Sequence, residues 1–160
     1  MLIRFITTGG TIDKIYFDAL SQFEVGESMV RQTLTDGLVD FDYEVVPLLQ
    51  KDSLEMNDDD RRKLCEYIAG DDGERYVITH GTDTMPDTAE MLADLDGRTI
   101  VLTGALTPAR FKSTDAVFNV GMAVAAVQTA APGVYIAMSG RIFEAGSVRK
   151  NREANKFEEL

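Results

Sequence analysis

Five short apolar runs are spaced along this chain, at residues 2–7, 43–49, 75–79, 99–103 and 134–138. Their centres, such as Tyr76-Val77-Ile78 and Ile100-Val101-Leu102, are continuously apolar. A strand with one wet face alternates polar and apolar side chains, whereas a strand covered on both faces does not. Helical patterns fill the gaps at 26–35, 57–69, 84–95 and 113–130. Leu64, Cys65 and Ile68 form a stripe on the second, and Met85, Ala89, Met91 and Leu92 mark the third. Such alternation predicts an α/β fold: a doubly wound, mostly parallel sheet of about five strands flanked by helices.

Two stretches break the rhythm. Residues 13–23 follow the first strand without a helix, so a loop or small hairpin is expected there. Ile142-Phe143 and Val148 flank Glu144-Ala145-Gly146, which predicts a closing C-terminal hairpin. Residues 1–150 read as one domain and 151–160 as a charged tail or the start of a linker. Asn57 followed by Asp58-Asp59-Asp60 fits a helix N-cap with an acidic first turn. The spaced ligands and terminal Glu of a calcium loop are missing.

A length of 160 residues suits a single self-sufficient domain. Sixteen basic against 27 acidic residues, a formal charge of −11, argue against nucleic acid or an anionic membrane as partner. The single cysteine, Cys65, excludes a disulfide framework, and the single histidine, His80, argues against a His-rich metal centre. The N-terminal apolar run is interrupted by Arg4 and ended by Gly9-Gly10, too short for a signal-peptide core or a membrane span. A cytoplasmic protein is the expectation.

In an open parallel sheet, ligands bind beyond the carboxyl ends of the strands. Four such ends are rich in hydroxyls, glycines or carboxylates: Thr7-Thr8-Gly9-Gly10-Thr11, Lys51-Asp52-Ser53, Thr79-His80-Gly81-Thr82-Asp83-Thr84 and Thr103-Gly104-Ala105-Leu106-Thr107-Pro108. Any one alone reads as an ordinary turn; four on one edge make a pocket. Gly9-Gly10 removes two Cβ atoms where the chain leaves the sheet, so a ligand can approach the backbone beside the Thr11 hydroxyl. Thr82-Asp83 sets a hydroxyl beside an acid ahead of a helix start, where backbone N–H groups can hold a carboxylate. Neither G-x-G-x-x-G nor G-x-x-x-x-G-K-[ST] occurs, so no cofactor and no metal are expected. What remains is small-molecule recognition, or hydrolysis through a hydroxyl nucleophile.

Thr7-Thr8-Gly9-Gly10-Thr11-Ile12 and Thr79-His80-Gly81-Thr82-Asp83-Thr84-Met85, in that order and spacing, resemble the bacterial-type L-asparaginase family. Asp52-Ser53, Met56-Asn57-Asp58, Thr103-Gly104-Ala105 with Pro108, Ser113 through Asp115 to Asn119, and Val148-Arg149-Lys150 extend the likeness. It covers nearly the whole chain, but only the family's large N-terminal domain; the usual C-terminal domain is absent from it. The resemblance implies hydrolysis of L-asparagine to L-aspartate and ammonia. By position, Thr11 matches the nucleophile, and Thr82, Asp83 and Lys150 match the family's second triad. Ser53 and Asp83 match groups that hold the substrate's α-carboxylate and α-amino group, and Ala105 matches the residue whose backbone faces the side-chain amide. Gly10, Asp52 and Gly81 complete the implied binding set. The resemblance implies that His80 is not a principal catalytic residue, so a structural role, or one supporting the site from behind, is expected of it.

Three departures qualify this picture. Phe23 stands where the family's loop tyrosine is expected, so Tyr16 becomes the catalytic aromatic, with a purely packing lid as its alternative. Leu54 replaces a glutamine found in many members, removing one polar contact to substrate. The ammonium-binding acid of the second domain must come from elsewhere, Glu55 or a partner chain. A high KM is expected. Whether Lys150 is neutral or charged stays open, because burial and Asp83 pull its pKa in opposite directions. Alternative readings are a glutaminase or other small amidase, a non-catalytic amino-acid-binding protein, and an ammonia-supplying subunit of a tRNA amidotransferase. In 113–130, Val117, Phe118, Val120, Met122, Val124 and Val127 point in nearly all directions, which predicts core burial or a subunit interface and hence a homodimer or higher homo-oligomer.

Overall fold

The computed structural model describes all of residues 1–160. Its elements in chain order are β1 (Leu2–Gly9), β2 (Lys14–Phe17), β3 (Gln22–Val25), α1 (Val30–Asp36), β4 (Asp42–Lys51), α2 (Asp58–Gly70), β5 (Arg75–Thr79), α3 (Met85–Leu92), β6 (Thr99–Thr103), α4 (Ala116–Thr129), β7 (Gly133–Met138), β8 (Arg141–Glu144), β9 (Val148–Asn151) and β10 (Lys156–Glu159). The main sheet has the order β4-β1-β5-β6-β7-β8. Its first five strands are parallel and β8 is antiparallel.

The period of two along each strand sorts side chains to opposite faces. From β1, Ile6 goes to the α2–α3 side, with Leu64, Ile68, Met85, Ala89 and Leu92. Ile3 and Phe5 go to the α1–α4 side, with Val30, Leu34, Val120 and Val127. Two cores covering both faces explain the unbroken apolar triplets of β5 and β6. Chain order places β4 on one side of β1 and β5 on the other. The loops that follow β1 and β5 therefore part company at one crevice, the switch point where ligands bind in such sheets. Pro47 sits on the edge strand β4, beside a register shift against β1, where its missing N–H costs least.

The predicted boundaries of β5 and β6 hold to the residue. Helix α2 begins as its acidic run predicts. Asn57 Oδ1 accepts from Asp60 N at 3.0 Å, while an Asp60 carboxylate oxygen accepts from Asn57 N at 3.1 Å, a reciprocal cap. The stretch after β1 is a hairpin, β2 against β3.

Three expectations are corrected. Ser139 and Gly140 have φ of 52° and 86°, the paired positive values that a two-residue hairpin needs. They turn the chain straight back, so Ile142 and Phe143 pair with β7 as a sixth strand instead of with Val148. The C-terminal hairpin is instead β9 with β10, Lys150 opposite Phe157. Residues expected to trail as a tail thus fold back, and Phe157 is buried against the core. Helix α4 is also not buried all round. Val120, Ala123, Val124 and Val127 face the core, while Val117 (57% exposed) and Phe118 (63%) face out.

Candidate active site

Glycines draw the strand ends together. A Cβ at Gly10 would collide with the backbone of Gly81, and one at Gly81 would lie 2.5 Å from Ser53 Cβ. One at Gly104 would strike the carbonyl of His80. The loops after β1, β4, β5 and β6 thus touch main chain to main chain, at distances that only glycine permits. Gly10 N also donates to Lys51 O (2.9 Å) and His80 N to Thr103 O (2.9 Å). Hydroxyls finish the joint: Thr8 Oγ1 donates to Thr79 O at 2.8 Å, and Thr84 Oγ1 to Ser53 O at 2.9 Å. Gly10-Thr11, Asp52-Ser53, Gly81-Thr82-Asp83 and Gly104-Ala105 are thereby gathered at the crevice.

Lys150 reaches this group from β9. Its Nζ donates to Thr82 Oγ1 at 2.8 Å and lies 5.5 Å above the Phe157 ring. Burial depresses the lysine pKa and Arg152 adds to that, while Asp83 and Asp115 oppose it; the net shift is downward. The tension left open by the sequence therefore resolves toward a more easily deprotonated amine. Asp83 is itself engaged: Arg152 Nε stands 3.7 Å from its carboxylate.

The flap of β2 and β3 rises from Thr11. Tyr16 lies on it, 52% exposed, with its ring edge-on to Phe23 at 5.5 Å. Phe23 in turn meets Phe111 of the β6–α4 loop at 5.9 Å. No hydrogen bond ties the Tyr16 hydroxyl to Thr11, so the flap aromatic stands apart from the other site residues. The flap's neck is closed by Gly26 N donating to Asp13 O at 2.8 Å. The Asp13 carboxylate accepts from Met29 N at 3.3 Å, and burial pushes its pKa up to about 6 against the pull of Ser28, Met29 and Arg110.

His80 is fully buried behind the crevice. Its Nδ1 faces the Gly81 carbonyl (2.7 Å), which can only accept, so Nδ1 carries the proton and Nε2 accepts from Thr88 Oγ1 (2.8 Å). Burial lowers its pKa to about 4, which keeps it neutral. It is a strut for the Gly81 peptide, as expected.

Several partners were not foreseen. Lys14 pairs with Asp52 at 2.8 Å and helps hold that carboxyl below its usual range, against the opposing effect of burial. Arg152 and Asp13 have no local sequence signal, because their partners come from other loops. Asp115 and Asn119, which entered only as part of the family likeness, do have one: two polar residues four apart at the start of the most apolar helix. Glu55, considered as an ammonium ligand, lies along a groove of 530 Å³ with Lys14, Phe23 and Asp52. A second groove of 530 Å³ runs past Asp13 and Arg31. Thr11, Ser53 and Thr82 line neither. No cluster of three or more His, Cys, Asp or Glu residues is placed to hold a metal ion, and no helix is long and apolar enough to cross a membrane.

Fold and crevice define a doubly wound α/β domain with a hydroxyl-and-lysine centre at its switch point. The chain belongs to the asparaginase family, whose N-terminal domain (Asparaginase, N-terminal) matches residues 2–158. It is 33% identical to a probable periplasmic L-asparaginase of Haemophilus influenzae, over 92% of this chain and 46% of that protein. It is 30% identical to an L-asparaginase of Bacillus licheniformis, over 96% of this chain and 51% of the relative. Among solved structures, the thermostable L-asparaginase of Thermococcus kodakarensis superposes on all of this chain and 51% of its own, with a TM-score of 0.85 and 26% identity. A probable cytoplasmic L-asparaginase of Campylobacter jejuni gives 0.76 and 29%, over 99% of this chain and 51% of its own. The chain spans about half the length of these relatives.

Proposed function

We propose that this chain hydrolyses the side-chain amide of L-asparagine to L-aspartate and ammonia. The observation that carries the reading is the Lys150–Thr82 hydrogen bond, with its depressed lysine, beside the Thr11 loop of an asparaginase-family crevice. Thr11 Oγ bonds to the amide carbon, and its proton passes to the departing nitrogen as the C–N bond breaks. Ammonia leaves and an ester remains on Thr11. Neutral Lys150 takes the Thr82 hydroxyl proton as the Thr82 oxygen takes one from the attacking water, whose oxygen bonds to the ester carbon. As the C–Oγ bond breaks, the protonated Lys150 gives a proton back through Thr82 to the Thr11 oxygen, and L-aspartate is released. Backbone donors at the developing oxyanion contribute about 2.7–4 kcal/mol each. Ser53 and Asp83 hold the α-carboxylate and α-ammonium, with Asp52, Gly10 and Gly81 shaping the seat, and Ala105 faces the amide. Tyr16 is the flap's hydroxyl-bearing aromatic and acts on Thr11 when the flap closes; Tyr16→Phe then lowers kcat without altering thermal stability.

The exposed apolar side of α4 supports a homo-oligomer, to be read by light scattering. A cytoplasmic setting agrees with the Campylobacter jejuni structure's description and differs from that of the Haemophilus influenzae relative. Cell fractionation decides between them.

The deciding experiment is ammonia release from L-asparagine, L-glutamine and related amides by the wild type, Thr11→Ala and Lys150→Met. Turnover of L-asparagine lost in both variants supports the reading, and unchanged turnover in both overturns it. A second reading, supply of ammonia within a tRNA amidotransferase, is favoured by 42% identity, over 43% of this chain, to one component of the glutamyl-tRNA(Gln) amidotransferase of Methanococcus vannielii. The charge of −11 then requires a partner to hold the tRNA, and co-purification identifies it.

A further inference from the structure

Ala105 is 1% exposed, yet neither its N–H nor its C=O makes a hydrogen bond within the protein. Buried main-chain groups are nearly always paired, so an unpaired donor and acceptor on one residue require an explanation. The peptides on either side supply it. Leu106 N donates to both Asp115 carboxylate oxygens, at 3.1 and 2.9 Å, and Thr107 N donates to Oδ1 at 3.0 Å. In a planar trans peptide the N–H and C=O point in opposite directions. With Leu106 N–H turned toward Asp115, the Ala105 carbonyl of the same peptide is turned away from it. The preceding peptide is held from its other end: Asn119 Nδ2 donates to Gly104 O at 3.0 Å. That turns the Ala105 N–H away from Asn119.

Asn119 is itself fixed, because Nδ2 also donates to Asp115 Oδ2 at 3.0 Å and Oδ1 accepts from Ser139 N at 3.0 Å. The two side chains form one bracket at the start of α4, and both Ala105 groups point off it. A primary carboxamide carries one carbonyl acceptor and one NH₂ donor in a plane, the complement of that free pair. The same loop reaches the nucleophile's neighbour, since Ala109 N donates to Ile12 O at 2.9 Å.

We propose that Asp115 and Asn119 are positioning residues that lock the two peptides around Ala105 and so select a carboxamide over an ester at the reacting end of the substrate. The proposal rests on the amide-hydrolase reading given above. Its test compares L-asparagine with L-aspartate β-methyl ester, which has no NH₂ to give the Ala105 carbonyl. In Asp115→Asn the ratio of kcat/KM for amide over ester falls about tenfold or more, with the ester rate retained. Asn119→Ala, which frees only the Gly104 peptide, shows a smaller fall in the same ratio and serves if the first variant does not fold. An unchanged ratio in both, or equal losses on both substrates, overturns the proposal.

A second arm needs no turnover. The Ala105 amide resonance moves when L-asparagine is added to the wild type and stays put in Asp115→Asn. A resonance that is unmoved in the wild type overturns the proposal. A wild type that releases no ammonia but shows the Ala105 shift overturns only the hydrolase reading.

Discussion

Lys150 Nζ and Thr82 Oγ1 meet at 2.8 Å although 68 residues of sequence separate them. The pair couples β9 to the loop after β5. It sets a threonine hydroxyl next to an amine whose charge is disfavoured by burial. A lysine in water titrates at about 10.4, and catalysis by its neutral form is efficient only when that value is brought down.

The rising limb of the pH–activity profile is therefore expected below the range of a free lysine. Lys150→Arg keeps a cation but cannot deprotonate, and it loses on the order of 10²–10⁴-fold in kcat. Lys150→Met loses as much. Initial rates of ammonia release between pH 6 and 10 check both. A Lys150→Arg enzyme with wild-type kcat removes the proton-transfer role.

Arg152 occupies Asp83 at 3.7 Å and is largely exposed. An exposed pair of this kind contributes up to about 1 kcal/mol. Arg152→Gln releases the carboxylate for a substrate ammonium, so KM for L-asparagine falls by up to about fivefold. The same change removes a cation that depresses the Lys150 pKa, and the rising limb moves to higher pH. Steady-state kinetics across pH measure the two effects separately.

Asp13 gives a stability prediction with a defined sign. Its folded-state pKa is raised to about 6 from 3.8, so the folded protein holds this proton more tightly than the unfolded chain. The stability linked to it is fully present below pH 4 and is lost as pH rises through 6. Asp13→Asn keeps a carbonyl for Met29 N without the buried charge. It melts higher than the wild type at pH 8, by about 1–3 kcal/mol of stability, and the two converge near pH 4. Calorimetric Tm values at the two pH extremes test this.

Two glycines are expected to respond in opposite directions. Gly81→Ala forces a methyl against Ser53 and costs several kcal/mol, about the scale of overpacking in a tight core. Gly121 lies mid-helix in α4 with nothing within 4 Å of an added Cβ. Gly121→Ala stabilises by about 0.5–1 kcal/mol. Denaturant midpoints read both.

The strands and helices were legible because each buried strand is a compact apolar word bounded by turn residues. Beyond Met138 that signal fails. Val148 and Phe157 are the only buried residues of their respective strands, set among charges that read as a tail. Ser139-Gly140 was the available sign that β8 doubles back, and its positive φ pair bears this out. At the crevice, the threonine and glycine loops announced themselves through composition at strand ends. Lys150 entered only by resemblance, since nothing near it in sequence marks a partner for Thr82. The bracket of Asp115 and Asn119 exists only once the 104–109 loop has folded over the start of α4.

The lysine's strand has a further consequence. β9 pairs as a strand with β10 alone and takes no place in the six-stranded sheet, to which the Lys150–Thr82 bond tethers it by a side chain. A two-stranded unit of this kind opens at a lower free energy than the sheet it rests on. Warming or mild denaturant therefore removes the amine from Thr82 while the parallel sheet is intact, and inactivation runs ahead of global unfolding. Hydrogen exchange at Arg149 and Phe157 will report that partial opening before β5 and β6 lose protection.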